Sequence, residues 1–174
     1  MTSGNYPLRP FLPADTLALR ELFAASVEEL TQEEYDEDQR AAWVAFAEDA
    51  DAFRERLEQA TTLVVELDGE PAGFASLKDN TILDMLYVHP YHAGSGIGTS
   101  LCDALETIAA GRGAKDMTVE ASETAVAFFE DRDYVQTQRN SVERYGEWLA
   151  TTTMKKRLQD AAREDDEDGH DGQT

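Results

Sequence analysis

The chain has 174 residues, 41% hydrophobic and 29% charged, enough for one domain with a buried core. Thirty-six acidic residues against fifteen basic ones give a net charge of −21, which excludes nucleic-acid binding by phosphate neutralisation and attraction to an anionic membrane. The longest apolar run, Ala41 to Ala47, is far below the roughly 20 residues that span a bilayer. The start MTSGNYPLRP lacks a secretory pattern and the single Cys102 has no internal disulfide partner, so a cytoplasmic protein is expected.

Four lysines against eleven arginines sharpen the charge signal. Abundant acid with scarce lysine resembles the proteins of salt-accumulating cells. In molar salt the Debye length falls to about 3 Å, which quenches self-repulsion. A halophilic, acidic protein is therefore expected.

In chain order, a short strand is expected near Pro7 to Phe11. Pro13-Ala14-Asp15 starts a helix whose apolar stripe runs through Leu17, Leu19, Leu22, Phe23 and Val27 to about Leu30. Tyr35 to Ala47 and Asp51 to Gln59 read as two more helices, with Trp43 and Phe46 packing inward. Thr61 to Leu67, Pro71 to Leu77 and Thr81 to Val88 read as three strands. Asp68-Gly69 and Asp79-Asn80 supply the turns of an antiparallel meander. A loop from His89 to Ser95 leads into an amphipathic helix, Gly96 to Gly111. Asp116 to Ala121 is a strand and Glu123 to Asp131 a short helix. Tyr134 to Arg144 and Glu147 to Lys156 close the domain as strands around Gly146. The order implies an α/β class: a mixed sheet with helices on its faces. The domain is expected over residues 6–158, and residues 159–174 as an acidic, disordered tail in which His170 has no fixed second metal ligand.

The segment after Val88 carries the chemistry. Gly94, Gly96 and Gly98 clear side chains from alternate positions, so backbone N–H groups can converge at the positive end of the following helix. That arrangement suits a pyrophosphate, and Ser95 and Thr99 add hydroxyls. A dinucleotide-binding turn would compete for this reading, with Glu120 as its ribose acid. The G-x-G-x-G spacing, the five residues before the first glycine and the preceding meander argue against it.

LYVHP, AGSGIG, TSLCDALETIAAGRGA and DMTVEAS together resemble the acetyl-CoA-binding core of the GNAT N-acetyltransferases. AVAFFEDRDY resembles the family's next motif. The tail half is similar to an uncharacterised prokaryotic subgroup acting on small molecules. The resemblance spans about Tyr6 to Leu158. It implies the GNAT fold, a mixed, mostly antiparallel sheet with helices on both faces, and acetyl-CoA as cosubstrate. Leu86, Tyr87 and Val88 would bond the pantetheine arm through their backbone. Ala93, Gly94, Ser95 and Gly96, with Ile97, Gly98 and Thr99, would hold the pyrophosphate. Ser122, Phe128 and Phe129 would complete the cofactor contacts. Three positions depart from the family pattern. Ala93 stands where glutamine or arginine is usual, Ser122 where asparagine is frequent, and Phe129 where a tyrosine acid is common.

Direct transfer to an amine needs a proton acceptor and a proton donor. Glu120 and Asp84 are the candidate bases, each also readable as a structural carboxylate. Tyr134 or Tyr145 is the candidate replacement acid. Cys102 reads as a small core residue, and His89 and His92 as loop-shaping. No metal-ligand spacing is found. The implied activity is acyltransfer from acetyl-CoA to a small-molecule or peptide amine. An acidic cleft would favour a cationic acceptor such as a polyamine, an aminoglycoside-like amine or a peptide N-terminus. A homodimer is left open. The rival reading is a non-catalytic acyl-CoA sensor or protein-binding module on the same scaffold.

Overall fold

The computed structural model describes residues 6–159. The expected acidic tail with His170 lies outside the described residues, apart from its first residue. Seven strands form one sheet in the order β1-β2-β3-β4-β5-β7-β6. They are β1 (Leu8–Pro10), β2 (Thr61–Leu67), β3 (Glu70–Lys78), β4 (Ile82–Val88), β5 (Asp116–Ser122), β6 (Val135–Arg144) and β7 (Glu147–Arg157). Every neighbouring pair is antiparallel except β4 and β5. Helices α1 (Thr16–Leu30), α2 (Glu37–Val44) and α3 (Ala50–Glu58) cover one face, and α4 (Ile97–Gly111) and α5 (Val126–Asp131) the other.

The turns follow from residues that tolerate positive φ. Asp68-Gly69 sits at φ 53° and 82°, the mirror-image hairpin geometry that matches strand twist. Tyr145-Gly146 repeats it at 48° and 87°. Asp36 and Asp49 accept backbone N–H bonds at the starts of α2 and α3, which fixes where those helices begin. The expected helix from Tyr35 to Ala47 is shorter than its pattern. It is α2 followed by a 3-10 turn, Ala45–Glu48.

Two cores flank the sheet. Phe23, Phe53, Phe74 and Met85 pack beneath α1 and α3, whereas Leu17, expected on the apolar stripe of α1, lies off that face and is exposed. Leu101, Leu105, Met117 and Met154 pack beneath α4. The alternation along β4 sends successive side chains to opposite cores, but it is interrupted once. Ser76 pairs with Met85 and Leu77 with Leu83, so Asp84 is an extra, bulged residue. A bulge bends its strand. The parallel pairing of β4 with β5 stops at this point, after only Ile82–Thr118 and Leu83–Val119. Beyond it, the β5-facing edge of β4 is open.

Candidate active site

The open edge leads directly into the glycine loop. Gly94 and Gly96 lie at φ 76° and 91°, where a side chain would be strained, and Gly96 is the N-cap of α4. The N-cap Gly96 has no side chain to cap the first turn of α4, so among the described residues the N–H groups of Ile97, Gly98 and Thr99 are left without a partner. They sit at the positive end of a 15-residue helix. The loop itself is held from outside. The Tyr6 hydroxyl donates to the Ser95 carbonyl at 2.6 Å, and the Tyr91 N–H donates to His89 Nδ1 at 3.1 Å. The free amides and missing side chains fit a pyrophosphate group.

A cavity of about 820 Å³ runs from this loop along the open edge. All thirteen residues expected to contact a cofactor are in its wall: Leu86, Tyr87 and Val88 of β4; Ala93, Gly94 and Ser95 with Gly96, Ile97, Gly98 and Thr99; and Ser122, Phe128 and Phe129. Phe128 packs over Gly98, where an added Cβ would meet its ring at 3.5 Å. Ser122 Oγ is turned back to accept the Ala125 N–H at 3.2 Å, starting the turn before α5. Phe129 is buried against Phe128 and Tyr134.

A second cavity of about 450 Å³ opens among α2, α3, β5 and the β6–β7 hairpin. Trp43, Leu83, Asp84, Tyr87, Glu120 and Ser122 line both cavities, so the two meet where β4 and β5 part. Trp43 and Phe46 were expected to pack inward. They do contact the core under α1, and they also wall this second cavity.

The two candidate bases differ in their surroundings. Asp84, the bulged residue, is held by Arg56 through two bonds, Nε to Oδ2 at 2.7 Å and Nη2 to Oδ1 at 3.0 Å. Burial works against the Arg56 charge, and Asp84 more than offsets it, so the guanidinium is held above its usual range. Glu120 is exposed to both cavities, and among the described residues its carboxylate accepts one hydrogen bond, from Thr151 Oγ1 at 3.0 Å.

Tyr134 is not where an acid is needed. It is buried beneath α4, and its hydroxyl donates to Glu106 Oε2 at 3.0 Å. Glu106 is also bound by Lys156 at 2.6 Å and Arg132 at 2.9 Å. Burial, then the Glu106 charge, push the Tyr134 phenol up. Tyr134 lines neither cavity, and its place in the sequence gave no sign of that enclosed network. Tyr145, the other candidate, is exposed at the rim of the second cavity. Tyr35 is spent structurally, donating to the Ala150 carbonyl and accepting the Glu123 N–H.

Tyr87 is the phenol that sequence reasoning missed. Its hydroxyl accepts from Trp43 Nε1 at 3.2 Å at the junction of the cavities. Burial pushes it up to about 12. Tyr87 packs on the face of α1–α3, and the bulge in its strand leaves no mark in a single sequence. Cys102 is fully buried, and burial pushes its thiol up to about 12. Among the described residues no His, Cys, Asp and Glu group could hold a metal ion, and no helix is long and apolar enough to cross a membrane.

The second cavity is not the acidic cleft anticipated from the net charge. Two arginines, Arg56 and Arg144, line its wall alongside Asp84 and Glu120.

The comparisons with known proteins agree with this geometry. The acetyltransferase (GNAT) domain model matches residues 30–158. An uncharacterised N-acetyltransferase of Escherichia coli, YafP, is 28% identical over 152 residues, 87% of this chain and 96% of its own. A solved GCN5-related N-acetyltransferase structure from Rhodopseudomonas palustris, labelled aminotransferase class II, is 49% identical. It superposes with a TM-score of 0.89 over 91% of this chain and 99% of its own. The PaiA N-acetyltransferase of Thermoplasma acidophilum, solved with coenzyme A, shares the fold at 19% identity and a TM-score of 0.70, over 91% and 100% of the two chains. With the family model covering most of its length, the parted β4 and β5 strands and the glycine loop belong to a member of the GNAT acetyltransferase family.

Proposed function

We propose that the protein transfers an acetyl group from acetyl-CoA to an amine. The observation that carries this is the junction. One cavity ends in free helix N-terminal amides suited to a pyrophosphate, the other is open to a second substrate, and Glu120 faces both. The open β4 edge offers backbone N–H groups that can bond a pantetheine arm and polarise a thioester carbonyl. Glu120 takes the ammonium proton, directly or through water. The amine nitrogen then bonds to the carbonyl carbon as the carbon–sulfur bond breaks. Tyr87, protonated at neutral pH, supplies a proton to the departing thiolate, and the second proton shed by the new amide nitrogen returns to the Tyr87 phenolate through water. The Arg56–Asp84 pair holds β4 in its bulged form and keeps Asp84 from acting as the base. The acid-rich, lysine-poor composition suits a salt-rich cytoplasm.

Calorimetric titration of acetyl-CoA and of NADH in molar KCl tests the donor. Thiol release with an amine panel tests transfer. Acetyl-CoA binding without an NADH response, and thiol release with at least one amine, is the expected result. A folded protein that binds neither ligand overturns the proposal. Binding without thiol release across the panel overturns transfer and leaves an acyl-CoA-binding module.

A further inference from the structure

We propose that the acceptor is an amine carrying an anionic group at the far end of an apolar body, and that Arg144 binds the anion. This rests on the transfer reading above and names the acceptor class for the same site. The second cavity has an inner and an outer end. Glu120 is shared with the donor cavity and marks the inner end, whereas Arg144 and Tyr145 line only the second cavity and mark the outer one.

Between these ends the walls are apolar and aromatic: Tyr35, Trp43 and Phe46 on the helical side, Val142 and Leu149 on the sheet. The cavity's two arginines are in different states. Arg56 lies 4.9 Å over the Phe46 ring, and its charge is closed by Asp84. Arg144 makes no ion pair among the described residues, although Glu143 precedes it and Glu147 is its partner in register. Its hydrogen bond is a long one, 3.4 Å to the Glu143 carbonyl. Of the two arginines in this cavity's wall, Arg144 is the one whose charge no described carboxylate closes. Its guanidinium offers a planar fork that matches a carboxylate or phosphate.

The register sets the length of the ligand. Glu120 is anchored by Thr151, and Arg144 lies opposite Glu147, four residues along β7, about 13 Å of strand. The arginine's reach shortens that span without closing it. An α-amino acid, whose amine and carboxylate share one carbon, does not bridge the two ends. An amine and an anion separated by an aromatic ring and a short linker do.

The matched probes are 4-(2-aminoethyl)benzoate and phenethylamine, which differ only in the carboxylate. Both are assayed by thiol release with saturating acetyl-CoA, at the lowest KCl that keeps the protein folded. Wild type is expected to prefer the benzoate in kcat/KM by about tenfold or more, chiefly through KM. In Arg144→Gln the ratio falls to near one, and in Arg144→Lys it is intermediate. Calorimetric binding of acetyl-CoA verifies that each variant retains its donor site.

Equal or reversed preference in wild type overturns the proposal, as does a preference that survives Arg144→Gln. Acetyl-CoA binding with no turnover of either amine overturns this acceptor class. No acetyl-CoA binding overturns the transfer reading on which it rests.

Discussion

Glu120 and Asp84 share a cavity wall, and their partners separate their roles. Asp84 is engaged by the partly exposed Arg56 guanidinium through two bonds, so its carboxylate is already committed to an ion pair. Glu120 has one neutral hydroxyl partner and access to both cavities, which is what a proton acceptor needs. Glu120→Gln is therefore expected to lower kcat by about a hundredfold or more while leaving acetyl-CoA affinity near wild type. Steady-state kinetics with calorimetry checks this, and an unchanged kcat would remove Glu120 from the mechanism. Cys102 shows the opposite logic. It lies in the motif helix, yet burial holds its thiol at about 12, far from the thiolate form at neutral pH. It should resist a thiol reagent in the folded protein and react fully in denaturant. Rapid labelling of the native chain would contradict that placement.

At the scale of elements, the site depends on how closely α4 approaches β3 and on where β4 bends. A Cβ on Gly73 would lie 2.6 Å from Ile97 Cγ2 and 3.3 Å from the Tyr87 carbonyl. Ile97 is buried and β-branched, so it cannot swing aside cheaply. Gly73→Ala is expected to lift the start of α4, cost about 1–3 kcal/mol in chemical denaturation and weaken acetyl-CoA binding. Gly98→Glu separates binding from folding. Its Cβ would meet Phe128 at an ordinary 3.5 Å, and a carboxylate in the first turn suits the helix dipole. Stability should hold within about 0.5 kcal/mol, while the new charge competes with the pyrophosphate and abolishes calorimetric binding. Unchanged affinity would take the loop out of the site. The hairpin dipeptides, the helical stripe of α4 and the three glycines made most elements and the glycine loop before α4 legible in the sequence, because each is a local signal. The bulge at Asp84, the Arg56 pair, the Glu106 network around Tyr134 and the facing of Arg144 were not legible. Each joins residues far apart in the chain, and no local pattern records which side chains a bent strand brings together.

At the scale of the whole molecule, charge sets the conditions under which these contacts operate. Arg9, Arg40, Arg54, Arg56, Arg132 and Arg139 each lie against a carboxylate, yet acidic residues still exceed basic ones by 21. The excess repels itself across the folded surface and relaxes when the chain expands, so it opposes the native state. Screening is the remedy. The Debye length falls from about 10 Å at 0.1 M salt to about 3 Å at 1 M, below the spacing of most surface charges. The native state gains from this more than the expanded one does. Each kcal/mol recovered raises Tm by roughly 2–4 °C for a chain of this size. Tm measured by calorimetry should therefore climb steadily between 0.1 and about 2 M KCl, with the steepest gain at the low end, where the Debye length changes fastest. Sucrose at matched osmolality separates screening from general exclusion and should give a smaller rise. A flat or falling Tm in KCl, or an equal rise in sucrose, would show that the acid is carried for another purpose, such as contact with a partner.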